Sequence, residues 1–215
     1  MECLLITPHF LLTIIMDNKM KKLILFLFSF LIIYSSVNAQ NADSLYNLTV
    51  YAGGGYVRNI TSFDYEYASL NRNGFLANLR VMWKPDYLIR AGFEVGRTDV
   101  YSLNEKDIQT DFGTTDLKTD VYAWSIMAVF SMSPFKNFEV NLGTGHAFTT
   151  VNNTSFGNES TSTDGGSAFM ISTGYYFPVS KDLQLGGELR GMKIAKYDDY
   201  LISLQVSLAY KFLEW

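Results

Sequence analysis

Seven charged residues stand where charge is least expected. Arg80, Arg90, Glu94, Glu139, Glu188, Arg190 and Lys211 are each set among apolar, glycine or hydroxyl residues. Ions so placed have two uses. They pair with one another, because an unpaired buried charge is costly, or they line a narrow path for ions. In a small enclosed space the first use is the stronger expectation. A second set of acids, Asp99, Glu105, Asp107, Asp111, Asp116, Asp198 and Asp199, falls in polar stretches. Carboxylates bind Ca²⁺ when a loop spaces them as an EF-hand does. These have no such spacing and read as solvated loop residues, so no metal site and no cofactor is assigned. His146 is the one histidine after residue 39, and it reads as a polar side chain at an interface.

What positions these residues is a period of two. Phe75, Ala77, Leu79, Val81 and Trp83 alternate with residues that include Asn78, Arg80, Met82 and Lys84. After Pro85 and Asp86 the alternation resumes as Tyr87, Ile89, Ala91, Phe93 and Val95 against Leu88, Arg90, Gly92, Glu94 and Gly96. Period two means strands, and a Pro-Asp pair between two such runs means a tight turn. The same reading along the chain predicts eight strands. The first covers 48–57, with its facing blurred by Gly53, Gly54 and Gly55. Strands two and three are the hairpin within 74–98, and the rest lie at 120–132, 138–150, 167–178, 182–194 and 200–212. Polar loops are predicted at 58–73, 98–119 and 151–166, with a shorter one at 195–199. Short turns follow the second, fourth and sixth strands.

The totals narrow the class. Aromatic residues make up 15% and charged residues 18% of 215, which is rich in rings and poor in charge for an ordinary soluble domain. The formal net charge of −4 leaves no basic stripe for nucleic acid. Met20, Lys21 and Lys22 precede an apolar run over 23–34, then Ser35, Ser36 and Val37-Asn38-Ala39. That is the layout of a cleaved secretory signal, and the run is too short for a membrane helix, which takes about 20 residues. Residues 1–39 are therefore read as a cleaved segment, in which the stretch before Met20 either lengthens the signal or, the favoured reading, precedes the true start at Met20, and 40–215 as one domain. Cys3, the one cysteine, would leave with the signal. A chain that spans a membrane without helices must do so as a closed barrel, since lipid leaves no partner for an open strand edge.

Two barrels fit the alternation: a soluble one with the large apolar phase inside, and a membrane one with it outside. An eight-stranded barrel is only just wide enough inside for side chains to fill. The apolar phase holds too many rings for that space, whereas the phase rich in Gly, Ser and Ala fits it. The rings also cluster toward the strand ends. Trp83, Tyr87, Phe130, Phe138, Phe177, Tyr210 and Phe212 would form a girdle at the turn end; Tyr56, Phe75, Tyr122, Phe148 and Phe169 would form the other. From Phe75 to Trp83 the rise is roughly 20 Å at about 3.3 Å per residue and a tilt near 40°, close to an apolar band of about 25 Å. The expected fold is all-β, an eight-stranded antiparallel up-and-down transmembrane barrel, with the seven lumenal charges pairing across the axis.

The signal segment, the eight alternating strands and a last strand ending Leu208-Ala209-Tyr210-Lys211-Phe212 resemble the small outer-membrane barrels of the OmpX and OmpA type, and the Ala39-Gln40 junction points to a Bacteroidota source. The resemblance implies a Gram-negative outer-membrane protein with periplasmic termini and turns, and extracellular loops. The implied partners are membrane lipid and lipopolysaccharide, the barrel-assembly machinery, which recognises a terminal aromatic, and an extracellular partner met through the loops. A monomer is implied. Tyr210 and Phe212 match the terminal signal; Leu213, Glu214 and Trp215 run on, so either Trp215 ends the signal or the tail is an overhang. Outer-membrane lipid A deacylases place a catalytic His and Ser two residues apart on the lipid face. Here Phe148 follows His146 at that spacing, so the nucleophile is missing and no enzyme activity is expected. The implied function is structural or interactive, with a narrow channel second and a lipid-modifying enzyme third.

Overall fold

The computed structural model describes residues 46–61, 70–85, 89–110, 113–196 and 198–214. The expected signal segment 1–39, the girdle residue Tyr87 and Trp215 lie outside the described residues. Within them are nine antiparallel strands: β1 (Asn47–Asn59), β2 (Leu70–Asn71), β3 (Asn73–Lys84), β4 (Ile89–Thr110), β5 (Gly113–Phe135), β6 (Phe138–Ser155), β7 (Asn158–Pro178), β8 (Leu183–Ile194) and β9 (Asp199–Glu214). The two-residue β2 pairs with the outer part of β4 just before the chain enters β3. The eight long strands close into a ring. Each pairs with its neighbour in sequence, β1 pairs with β9, and the β4–β5 pairing completes the circuit. A closed ladder leaves no unpaired edge through the barrel wall.

The strands are tilted, as closure requires. A walk across paired residues from Ala209 passes through Tyr51, Arg80, Glu94, Met127, Gly145, Ala168 and Ile194 and returns to β9 at Asp199, not at its starting point. All eight residues from Ala209 to Ile194 belong to the inward phase, so the walk also traces how lumenal side chains from distant strands come to face one another.

The faces are those the period of two predicts. Trp83 is 46% exposed, Trp124 48% and Phe177 61%, and Phe130, Phe148, Phe169, Tyr210 and Phe212 are exposed with them. Tyr122 and Phe138 keep the outward phase but are half-buried by neighbours. Facing in β1 is unambiguous despite its glycines: Tyr51 and Val57 are buried, whereas Tyr56 is exposed.

Two loop expectations are corrected. Residues 98–119 are mostly strand: β4 runs to Thr110, β5 begins at Gly113, and the two stay paired up to Thr110 and Gly113, with register shifts after Asp99 and Glu105. Residues 151–166 likewise form the tip of the β6–β7 hairpin, paired to Ser155 and Asn158. Phe156 and Gly157 between them have φ of 51° and 73°, as a two-residue type I′ turn requires. Apart from Thr98, Val100, Leu103 and Thr115, which are buried, these extensions are partly or fully solvated, so little apolar alternation announces them, while their Thr-rich composition suits a strand. The tail is corrected toward strand too, for Leu213 and Glu214 pair with Leu48 and Asn47. The turn end is short by comparison. Lys136 and Asn137, the latter at φ 66°, join β5 to β6, and Val179 and Ser180 N–H groups both donate to Leu183 O at 2.8 and 3.0 Å between β7 and β8.

Glycine matters most where strands approach closely. A Cβ on Gly92 would run into the Val81 carbonyl, and one on Gly145 into that of Ile126. Gly145→Ala is therefore expected to destabilise the barrel by about 1–3 kcal/mol, the usual cost of overpacking, through forced separation of β5 and β6. Equilibrium urea unfolding of the refolded protein measures this; an unchanged midpoint would mean the approach is not tight.

Candidate functional site

The lumen is filled by two layers of side chains. The lower layer, toward the turns, is polar. Arg80 and Glu94 are register partners on β3 and β4, and Arg80 Nε donates to Glu94 Oε2 at 2.8 Å. Arg80 Nη2 crosses to β8 and donates to Glu188 Oε1 at 2.8 Å. Arg190 Nη2 donates to Glu94 Oε1, and Glu94 Oε2 also accepts from Asn78 Nδ2 at 3.1 Å. One carboxylate thus holds two guanidiniums. Nearby, Arg90 Nη1 donates to Glu139 Oε1 at 2.8 Å and to Tyr51 OH at 2.9 Å, while Tyr51 OH donates to Glu139 at 3.1 Å. Tyr176 OH donates to Glu188 Oε2 at 3.2 Å. The Tyr51 and Tyr176 rings meet edge to face, 5.6 Å between centroids, and join the two ion centres.

Six of the seven expected charges are brought together: Arg80, Arg90, Glu94, Glu139, Glu188 and Arg190. Lys211 is not. It keeps the inward phase, but it lies half-buried near the end of β9 and makes no ion pair among the described residues. A hydrated ammonium at the mouth has no need of a partner. Sequence reasoning gives no role to Tyr51 and Tyr176, whose signal is their phase. Room for Tyr176 comes from glycine: a Cβ on Gly174 or Gly186 would meet its ring.

The network is neutral, three arginines against three glutamates, and its side chains are buried or nearly so. Some donors and one acceptor are left over. Arg80 Nη1, Arg190 Nε and Nη1, and both amide atoms of Gln205 are buried without a protein partner; buried groups in that state are ordinarily satisfied by water.

The upper layer, toward the loop end, mixes apolar side chains with buried Asn59, Thr98, Thr149, Asp199 and Ser203. Val57, Leu76, Val100, Val121, Ala147, Ala168, Ile194 and Leu201 belong to one buried cluster that also includes Met82, Met127, Met170 and Met192. The sequence reading has the inward phase small and ionic. It misses the apolar members of this layer, because they are scattered one or two to a strand.

Of the other candidates, Asp199, expected as a solvated loop residue, is buried and accepts from Asn59 Nδ2 at 3.0 Å. His146 lies on the outward face, its ring 4.9 Å from Phe148. Ser167 is its register partner across β6 and β7, but the imidazole leans over Gly165, where a Cβ would meet Nε2, and no hydroxyl is hydrogen bonded to it among the described residues. Asp99 accepts from Phe75 N at 3.1 Å and pairs with Arg97 at 3.5 Å. Side chains at 107–110 and residues 111–112 lie outside the described residues. Among the described residues no group of three or more His, Cys, Asp or Glu gathers to hold a metal ion. Lys196, in the turn after β8, donates to Asp164 on the β6–β7 hairpin, and with the Gly165 N–H at 2.8 Å it holds that carboxyl below its usual range.

Two outcomes are expected. Glu94→Gln leaves Arg80 and Arg190 under-compensated in a buried setting, and should cost about 3–5 kcal/mol, read from urea unfolding. Asp164 has a lowered pKa in the folded state, so its small contribution is present above the ordinary carboxylate value and fades as pH falls through the folded one. In Lys196→Gln the Asp164 midpoint should move up toward the ordinary value, followed by ¹³C NMR titration; an unmoved midpoint would show that Lys196 is not the cause.

No protein-family model matches the chain, and no curated protein matches it. Solved structures similar in shape include Ail, the attachment invasion locus protein of Yersinia pestis, in complex with the heparin analogue sucrose octasulfate. It is 10% identical, with 80% of this chain and 100% of that one covered and a TM-score of 0.47. A major outer membrane protein from Thermus thermophilus is 13% identical, with 78% and 99% covered, TM-score 0.47. The outer membrane protease OmpT from Escherichia coli is 9% identical, with 81% and 100% covered, TM-score 0.35.

Proposed function

We propose that the chain is a monomeric, non-enzymatic outer-membrane barrel of a Gram-negative bacterium, a rigid, non-conducting support for its projecting strands. One observation carries this reading. Around the ring the outward face is apolar and exposed, with Leu79, Phe93, Ile126, Leu142, Ile171, Leu189 and Leu204 on seven different strands. Soluble monomers rarely expose contiguous apolar patches beyond a few hundred Å², whereas hydrocarbon is the natural solvent for such a surface. The signal-like segment 1–39 delivers the chain across the inner membrane. The turns and termini then lie in the periplasm, and the barrel-assembly machinery inserts the strands. The hairpin extensions of β4 to β7 face outward, beside lipopolysaccharide, and meet an extracellular partner there.

The filled lumen supports the non-conducting part: ion pairs occupy the lower half, and buried apolar and polar side chains together occupy the upper. A narrow channel is the second reading, favoured by the unpartnered Arg190 and Gln205 atoms, which suit water. A lipid-modifying enzyme is weaker, since His146 has no nucleophile hydrogen bonded to it among the described residues.

Extraction from membranes in detergent only, with different gel mobility before and after boiling, is expected; a soluble monomer in plain buffer would sink the proposal. Planar bilayers should stay silent, and a steady, defined conductance would replace the support reading with the channel. Leu204→Arg, near the middle of β9 on the outward face, should cost about 2–4 kcal/mol in a bilayer, measured by reversible unfolding in liposomes.

A further inference from the structure

We propose that Asp199 makes the loop end of the seam between the first and last strands a pH-responsive clasp, firm in mild acid and loosened as the carboxyl ionises. The ring closes where β1 meets β9, and their register ends at Asn59 and Leu201. Past that pair the seam is held by a handful of bonds. Ile60 N donates to Tyr200 O at 2.8 Å, and Tyr200 N donates to Thr61 Oγ1 at 2.8 Å. Asn59 Nδ2 donates to Asp199 Oδ1 at 3.0 Å, while Asn59 Oδ1 accepts from Thr61 N at 2.9 Å. Thr61 Oγ1 also donates to the Asp198 carbonyl at 3.4 Å. Asn59 thus links the Asp199 carboxyl to Thr61, the residue that holds Tyr200.

The carboxyl stands where charge is penalised. Asp199 is 3% exposed, its register partner Ile194 0%, and Leu201, the next inward residue of β9, 3%. No ion pair reaches Asp199 among the described residues, and every Lys and Arg after residue 45 is among these. The cations near the clasp are engaged or turned away. Lys193 pairs with Asp198 at 2.8 Å and donates to Tyr200 OH at 2.6 Å, and Lys196 pairs with Asp164. Arg58 is exposed on the outward phase of β1. Arg72 gives its carbonyl to Asn59 N at 2.8 Å. The inward residues at this end of β4, β5 and β6, among them Val100, Val121 and Thr149, carry no charge. The stretch 62–69, which follows Thr61, holds Asp64 and Glu66 and no base.

Asp199 opens β9 at the loop-end rim, past the outward ring of Tyr200. Burial in the first place, with the neighbouring Asp198 charge, lifts its carboxyl above the usual range, and the bonds from Asn59 and Thr61 offset only part of that. A carboxyl whose folded value is raised stabilises the fold below its ordinary value, and this contribution fades as pH rises through the folded one. Near neutral pH the same site holds an ionised group that no cation compensates. Entry of water, or separation of the two strand ends, relieves the penalty.

The test is amide hydrogen exchange, followed by NMR on the barrel refolded in detergent, from about pH 4 to about pH 7 and corrected for the intrinsic rate at each pH. Protection of the Ile60 and Tyr200 amides should drop by about tenfold across that range, while that of Val206, in the middle of the seam, stays level. The Asp199 carboxyl, read by ¹³C titration, should have its midpoint above the ordinary carboxylate value. Asp199→Asn keeps an acceptor for Asn59 and cannot ionise, so its protection should be flat with pH. Asp198→Asn should retain the drop. A midpoint at or below the ordinary value overturns the proposal, as does an equal drop in wild type and Asp199→Asn. So does a drop that Asp198→Asn abolishes, which would assign the effect to the exposed neighbour. If Asp199→Asn fails to fold, the wild-type midpoint decides alone.

Discussion

The width of an eight-stranded ring governs everything inside and outside it. Closure fixes the diameter, and the space left admits little more than one set of inward side chains. Tyr176 enters because glycine stands at positions such as Gly174 and Gly186, where a Cβ would strike its ring. Most other rings have nowhere to go but out. An outward face of Trp, Phe, Leu and Ile then requires an apolar solvent around it, and the closed ladder supplies what such a solvent demands, a backbone without unpaired edges.

Inside, the low dielectric sets the terms. Arg80, Arg190 and Glu94 sit where an isolated charge would be expensive, and their mutual contacts bring that penalty down without guaranteeing net stabilisation. Their second effect is geometric. Glu94 on β4 touches cations on β3 and β8, and Glu139 on β6 touches Arg90 on β4 and Tyr51 on β1, so the network ties strands that are not neighbours and disfavours a slipped register. Above it Val57, Leu76, Val100, Ile194 and Leu201 pack among buried Asn59, Thr98, Thr149 and Asp199. Polar and apolar side chains together occupy the lumen.

The same ladder changes character with height. Through the middle it alternates strictly. Beyond the loop-end rim, β4 to β7 continue as paired ribbons that are largely wet, though Leu103 and Thr115 stay buried, with β6 turning into β7 at Phe156 and Gly157. At the other end the strands stop near rings and lysines. A hydrogen-bonded strand pair tolerates any of these compositions, because its backbone contacts are indifferent to side chains. What differs is the solvent each height must match.

Much of this is legible in the residues. A period of two, run through eight segments, assigns the face of Trp83, Trp124 and Phe177 and puts Arg80, Glu94 and Glu188 in one phase. Where alternation fades, legibility fades with it. The ribbons at 98–119 and 151–166 read as loops, since residues that are mostly solvated, with few buried apolar ones such as Val100 and Leu103, leave no clear periodic trace. The sequence by itself determined which side chains point inward and which outward, because that follows from local backbone geometry. Only the tertiary structure decided who meets whom across the lumen: Arg80 and Glu188 lie 108 residues apart, and their contact depends on the tilt and stagger of the closed ring. The same closure left Lys211 at the mouth, without an acid among the described residues, an outcome set by its height along β9 and not by its phase.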